Sequence, residues 1–350
     1  MHNMFKKIIY IFCLFTFLIP LSTSAQEVQK ATVVKVLSEK TELVPETKAL
    51  ETIQQLEIDL PREKSIYIEN TYAPVQAGDT IFVYQDENNV WFVREINRTP
   101  ILLFTAILFI VISLFIGRWK GFRGLVSLGL SVGVLFFILI PYITQVSHPL
   151  LFSFIVVTLL MSIGAIITHG WNKGTLAATL GIFITLVITA GVGYLISTHA
   201  HITGQSSDES VFLKTSLGIN NIRALFLSGV LISLLGVLYD GAISQAIYIQ
   251  KQIKAGATDL KKLYKQAMDI GRSHVGALID TLAIVSIGSS LLELILFIKQ
   301  STEPLGFILS QEPIALEILQ ILVGSMGLMI TIPITTLISI WVFRKNAQKN

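Results

Sequence analysis

The sequence predicts an α-helical polytopic membrane protein, with about seven transmembrane helices and a small β-rich extracytoplasmic domain at the N-terminus. Three observations carry that prediction. Apolar residues make up 52% of the 350 residues, charged residues only 14%, and mean hydropathy is +0.68. A soluble domain is about 25% charged, so this chain has too little charge to cover a water-facing surface. Seven stretches beyond residue 98 are apolar and long enough for a hydrocarbon core of ~30 Å. The charge is also split: residues 26–98 carry a net −5 and residues 99–350 a net +6. These figures exclude a disordered chain, a collagen, a disulfide scaffold and a free nucleic-acid binder. No nucleic-acid partner is expected, because membrane topology accounts for the basic excess.

Residues 1–25 read as a signal peptide. Lys6 and Lys7 precede an apolar run from Ile8 to Leu21, and Ser22-Thr23-Ser24-Ala25 supplies small residues for cleavage after Ala25. An uncleaved anchor is the alternative, and either one exports residues 26–98. The single cysteine, Cys13, lies inside this segment, so no disulfide is expected in the mature chain.

Residues 26–98 form the exported domain. Alternating apolar residues mark strands at 31–38, 54–60, 65–69, 80–84 and 90–96. Turn signals separate them at Leu60-Pro61, Ala77-Gly78-Asp79 and Asp86-Glu87-Asn88-Asn89. Five short strands in so few residues predict a small barrel or sandwich. It could bind a ligand or serve as a spacer or docking module. No nucleophile or His/Cys constellation stands out in it.

Residues 99–343 form the transmembrane domain, with spans at roughly 101–117, 122–141, 150–168, 175–196, 223–240, 275–298 and 314–343. Placing the head outside puts 13 basic residues on inner segments, among them Arg118, Lys120, Arg123, Lys173 and the lysines at 251–265. Outer loops then hold only Lys214 and Lys299, with Arg223 at a boundary. That is the positive-inside bias. It predicts an amphipathic cytoplasmic hairpin at 241–274 and a basic cytoplasmic tail at 344–350. Thr258-Asp259 is placed to cap the hairpin's second helix, whose Lys261, Lys262 and Lys265 suit a membrane surface. Small-residue pairs, Gly129 with Gly133 and Ser286 with Ser290, predict close helix packing. Pro333 predicts a kink in the last span.

The densest polar chemistry lies between Tyr239 and Glu293. Asp240 ends the fifth span, Arg272 and His274 stand where the sixth begins, Asp280 lies further in, and Glu293 lies near its far end. An ionised group at mid-bilayer costs about 2.5–3.5 kcal/mol or more, so such residues favour a polar interior and a partner. Asp240 and Asp280 on consecutive spans could share a proton, with Arg272 as counter-ion. The plainer alternative makes Asp240 and Asp269 interfacial charges and Asp280 a helix–helix hydrogen bond. An aspartate pair on consecutive spans also suggests an intramembrane aspartyl protease. Ala277, Leu278 and Ile279 before Asp280 do not supply the Gly-x-Gly that such enzymes carry. His148, His199, His201, Asp208 and Glu209 are permissible metal ligands, but at irregular loop spacing they read as solvated loop residues. No metal site, cofactor or catalytic residue is expected. No phosphate-binding Gly-rich loop is present for ATP drive.

Several of these stretches, taken in order, resemble the YibE/F family of bacterial multi-pass membrane proteins. They are Arg98-Thr99-Pro100, Gly117-Arg118-Trp119-Lys120-Gly121, Thr203-Gly204 with Asp208-Glu209, Tyr239-Asp240-Gly241, and Gly271-Arg272. Ser273-His274 and Asp280 depart from the family's pattern, which has an acid directly after that arginine and an asparagine at the Asp280 position. The resemblance implies a bacterial cytoplasmic membrane and names no substrate. The function expected is a transporter or permease, or a component of one, with Asp240, Arg272, Asp280, His274 and Glu293 as its polar core. The alternative is a non-catalytic sensor or envelope assembly factor that binds through the exported domain. The expected partners are the lipid bilayer and either a second copy or a partner membrane subunit.

Overall fold

The computed structural model describes residues 28–43, 50–61, 65–216, 218–219, 221–300 and 303–347. The signal-peptide reading at 1–25 and the end of the basic tail at 348–350 lie outside the described residues. The chain divides into two compact units, Met1–Arg118 and Trp119–Asn350.

The first unit contains five strands: β1 (Gln29–Leu43), β2 (Leu50–Asp59), β3 (Ile66–Asn70), β4 (Thr80–Gln85) and β5 (Trp91–Ile96). They form one antiparallel sheet in the order β3-β2-β1-β4-β5, and its edge strands β3 and β5 curl into contact. Alternation sends Ala31, Val33, Leu56, Ile58, Ile68, Ile81 and Val83 to one buried face. Each large side chain buried there contributes about 1.5–3 kcal/mol. Two polar residues share that face. Gln54 Oε1 accepts from Val75 N at 2.8 Å and from Asn70 Nδ2 at 3.1 Å, and Asn70 Nδ2 also donates to Ala73 O at 2.7 Å. The pair thereby fastens the crossing from β3 to β4 with hydrogen-bonded buried groups.

The helices are α1 (Thr99–Val134), α2 (Ile140–Ile143), α3 (Pro149–His169), α4 (Lys173–His199), α5 (Asp208–Thr215), α6 (Ile222–Ser233), α7 (Leu235–Lys254), α8 (Leu260–Ser289), α9 (Leu291–Gln300), α10 (Leu305–Ser310) and α11 (Glu312–Ala347). Among the described residues six runs are long and apolar enough to cross a membrane: Thr99–Ile143, Pro149–His169, Lys173–His199, Ile222–Lys254, Leu260–Ser289 and Glu312–Arg344. The first is 45 residues, about 68 Å of helix, far more than one crossing needs. Its regular geometry breaks at Arg118, with φ 49° and ψ −133°. The sequence places a basic loop between two spans at this point.

The fifth and sixth spans differ from the expectation at their boundaries, and the sixth also ends at Ser289 rather than at 298. The fifth span runs through a turn at Leu234 into α7 and ends at Lys254 rather than at 240. The sixth begins at Leu260 because the amphipathic stretch and the span are one 30-residue helix with no breaker between them. Asp259 caps it, accepting from Lys261 N and Lys262 N at 3.0 Å each. The apolar face of its first turns, Leu263 and Ala267, packs on Ile249, Ile253 and Phe343. α11 continues as a helix through Pro333. The main core is made by α3, α4, α6, α7, α8 and α11, around Met161, Ile182, Leu186, Leu231, Leu234, Leu238 and Leu328.

Candidate functional site

α11 carries Glu317, Gln320, Gly324, Ser325, Leu328, Thr331, Thr335 and Ser339 at intervals of three, four or one residues, so they share one broad face. That helix packs against α4, α7 and α8. α4 answers with Gly181, Thr185 and Thr189 four residues apart. A Cβ on Gly181 would meet the side chain and backbone of Thr335, and one on Gly327 would lie 2.5 Å from Thr189 Oγ1. The two backbones approach that closely only because these glycines lack side chains. The seam between them is built of hydroxyls rather than leucines. Thr185, Thr189, Ser325, Thr331, Thr335, Thr336 and Ser339 are all buried.

The threonines donate backwards along their own helices: Thr185 to Gly181 O at 2.9 Å, Thr189 to Thr185 O at 2.8 Å and Thr331 to Gly327 O at 2.9 Å. This leaves oxygen lone pairs on the seam. Among the described residues, the hydroxyls of Ser325, Thr335 and Ser339 have no hydrogen-bond partner. Unpaired polar atoms of this kind are uncommon in a native interior and call for an explanation.

At one end of the seam, Gln245 Oε1 accepts from Thr336 Oγ1 at 3.1 Å. Gly271 lies directly against this glutamine and Ile332, where a Cβ would come within 2.7 Å of Gln245 Nε2. At the other end stands Glu317. Its Oε2 accepts from Ser286 Oγ at 2.8 Å and its Oε1 from Ser290 Oγ at 2.5 Å, and Gln320 Nε2 donates to Ser286 Oγ at 3.4 Å. Glu293 stands in the first turn of α9, just beyond the end of α8. Among the described residues no lysine or arginine forms an ion pair with Glu317. A carboxylate held by two hydroxyls without a fixed cation keeps oxygen lone pairs that a small cation could use.

The loop beside this end is tightly fastened. Glu312 Oε1 accepts from Thr203 N at 2.7 Å and Gly204 N at 2.6 Å, and both carboxylate oxygens accept from Thr203 Oγ1. Gly204 has φ +85°, and a Cβ there would lie 2.9 Å from Arg223 N. At the opposite end Tyr239 Oη and Thr168 Oγ1 are hydrogen-bonded at 2.5 Å, and Arg123 caps α3 through the carbonyls of Ile167 and Ile166.

The residues singled out in the sequence are distributed differently from the expected core. Asp240 is at the chain's surface. Arg272 pairs with Asp269 on its own helix at 3.1 Å, and both side chains are more than half exposed. His274 and Asp280 are exposed. No hydrogen bond or ion pair joins Asp240, Arg272 and Asp280 among the described residues. The positions lie on α7 and α8, but the buried faces of those helices belong to Gln245, Gly271 and Ser286 instead. Ser286 and Ser290, marked by sequence as packing residues, are the hydroxyl donors to Glu317. A Cβ on Gly129 would meet nothing within 4 Å. Glu317, Gln320, Gln245 and Thr336 do not stand out in the sequence. The one signal there is a carboxylate a few residues inside the last apolar run. No group of three or more His, Cys, Asp or Glu side chains able to hold a metal occurs among the described residues.

The family described as YibE/F-like protein matches residues 105–345, which include the whole seam and both of its ends. No curated protein and no solved structure matches the chain. The family match spans well over half the sequence and contains every element that positions Glu317 and its serines, so the chain belongs to the YibE/F family.

Proposed function

We propose that the protein is a transporter or permease, or the membrane component of one, whose translocation core is the hydroxyl seam between α4 and α11 with Glu317 at its end. The observation that carries this reading is Glu317 itself: a half-buried carboxylate among apolar helices, held by Ser286 and Ser290 and without a fixed counter-charge among the described residues. Buried hydroxyls with free lone pairs continue from it towards Gln245. Glu317 exchanges a proton or small monovalent cation, and the seam provides successive weak oxygen sites. Asp240, Arg272, His274 and Glu293 act towards the ends of the bundle, where they attract or release charge, and Asp280 acts between them on the exposed side of α8. No catalysis is assigned.

On this proposal the chain crosses a bacterial cytoplasmic membrane seven times. The break at Arg118 separates the first two crossings, the sheet domain lies outside, and the C-terminus lies in the cytoplasm. The basic residues of 118–123, 173 and 251–272 support that orientation. A second copy or a partner subunit completes the pathway within the bilayer.

Proteoliposomes containing the full chain and a trapped pH dye test the proposal. After an imposed pH step, with and without sodium or potassium, the wild type is expected to dissipate the gradient faster than empty vesicles. Glu317→Gln is expected to lose that flux and Glu317→Asp to retain part of it. Equal rates for wild type, Glu317→Gln and empty vesicles would refute the reading.

A further inference from the structure

A second polar site lies where α3 and α6 begin and α4 ends. A cavity of about 520 Å³ opens there, lined by His148, Leu151, Tyr194, Asn221, Arg223 and Leu227 together with Pro149, Leu150 and Ala224. That volume falls within the range of small-molecule sites. It stands at the ends of three candidate spans, the level at which a bilayer presents its headgroups.

The chemistry of the lining is one-sided. Arg223 is the only permanently charged residue in it, and no carboxylate lines it. Arg223 Nε donates to Ile202 O at 2.6 Å and Nη1 to Thr198 Oγ1 at 3.4 Å. These bonds fix the guanidinium while Nη2 has no partner among the described residues, so a directed donor is left over. His148, Tyr194 and Asn221 add further polar groups. The side chain of Asn221 already caps α6, accepting from Ala224 N at 3.2 Å. α3, in contrast, has no side-chain cap at its start, and the amides of Leu150 and Leu151 have no acceptor within the helix. The partial positive charge of that helix end therefore adds to the field of Arg223. The remaining lining, Leu150, Leu151, Ala224 and Leu227, is apolar.

We propose that this cavity binds the phosphate head of an amphiphilic anion. The oxyanion sits against Arg223 and the start of α3, and the apolar part of the ligand lies along Leu151 and Leu227. The same chemistry is available from an anionic phospholipid headgroup and from free phosphate. The proposal does not depend on Glu317, because the two sites share no residue.

The test uses the full chain in nanodiscs and hydrogen exchange at the amides of 148–153 and 221–227. The probes are phosphatidylcholine discs, discs with added phosphatidylglycerol, and phosphatidylcholine discs with inorganic phosphate. Two variants accompany the wild type: Arg223→Gln, which removes the cation, and Leu151→Trp, which fills the cavity while leaving the bonds of Arg223 to Ile202 and Thr198 in place. Protection of both segments by phosphatidylglycerol, reduced about tenfold in both variants, supports the site with a lipid source. Protection by inorganic phosphate with the same loss in both variants supports it with a soluble source. No protection by either probe overturns the proposal. So does loss in Arg223→Gln alone, because the arginine would then be acting only through the 198–202 loop.

Discussion

Ser286 Oγ donates to Glu317 Oε2 at 2.8 Å across 31 residues of sequence, and this bond joins the end of α8 to the second turn of α11. Hydrogen bonds to a charged group contribute about 1.5–3 kcal/mol. Ser286→Ala with Ser290→Ala should therefore lower the unfolding midpoint of the detergent-solubilised chain. Glu317→Ala should do the same, and the combined variant should cost less than the sum by about 1–3 kcal/mol. Additive costs would mean that the serines stabilise the protein independently of the carboxylate.

Glycines on the seam and away from it should respond differently to the same substitution. Gly181→Ala drives a Cβ into Thr335 where backbone faces backbone, so the helices must separate. A cost of about 1–3 kcal/mol is expected, as for other overpacked cores. Gly129→Ala meets nothing within 4 Å and should be neutral, or slightly stabilising through helix propensity. Thermal melts of the two variants side by side check this.

In the sheet unit, Gln54 and Asn70 form a buried amide pair that holds Val75 and Ala73. Gln54→Leu leaves the Val75 amide without its acceptor and takes from Asn70 Nδ2 one of its two acceptors, the other being Ala73 O. The expected cost is about 1–3 kcal/mol, concentrated at 71–76. Faster hydrogen exchange in that segment, with the β1–β2 pairing unchanged, is the readout.

The sheet is readable from sequence because a period of two with one buried face is a local signal. Leu56, Ile58, Ile81 and Val83 announce themselves in the sequence and lie in the core. The cap by Asp259 is equally local, since it needs only the next two amides. Glu317 is a different matter. Its carboxylate is visible in the last apolar run, but its partners depend on which face α8 turns towards α11, and no local pattern encodes that rotation. Asp280 and Arg272 draw attention because charge is rare in a span. Yet they are exposed on α8, and its buried face belongs to Leu263, Ala267, Gly271, Leu282 and Ser286. The full length of α8 is hidden for a related reason. Lys261, Lys262 and Lys265 read as part of a separate surface helix before the span, whereas helical phase continues from them into it.

The Glu312 latch makes a further prediction. Its carboxylate holds the amides of Thr203 and Gly204 and the Thr203 hydroxyl. Glu312→Ala should release the 199–207 loop, increasing its exchange rate and its proteolysis, while the seam between α4 and α11 keeps its protection. Gly204→Ala should act in the same direction through its positive φ and its contact with Arg223 N. A loop as protected as in the wild type would show that the latch is unnecessary.

The central claim is that the Glu317 carboxyl exchanges a proton or cation inside the bundle. Infrared difference spectroscopy of the full chain in liposomes, recorded between acid and neutral pH and between sodium-free and sodium-containing buffer, addresses it directly. A protonated-carboxyl band that appears or vanishes with one of these steps, and is missing in Glu317→Gln, is the predicted result. Difference spectra identical in wild type and Glu317→Gln would contradict the claim.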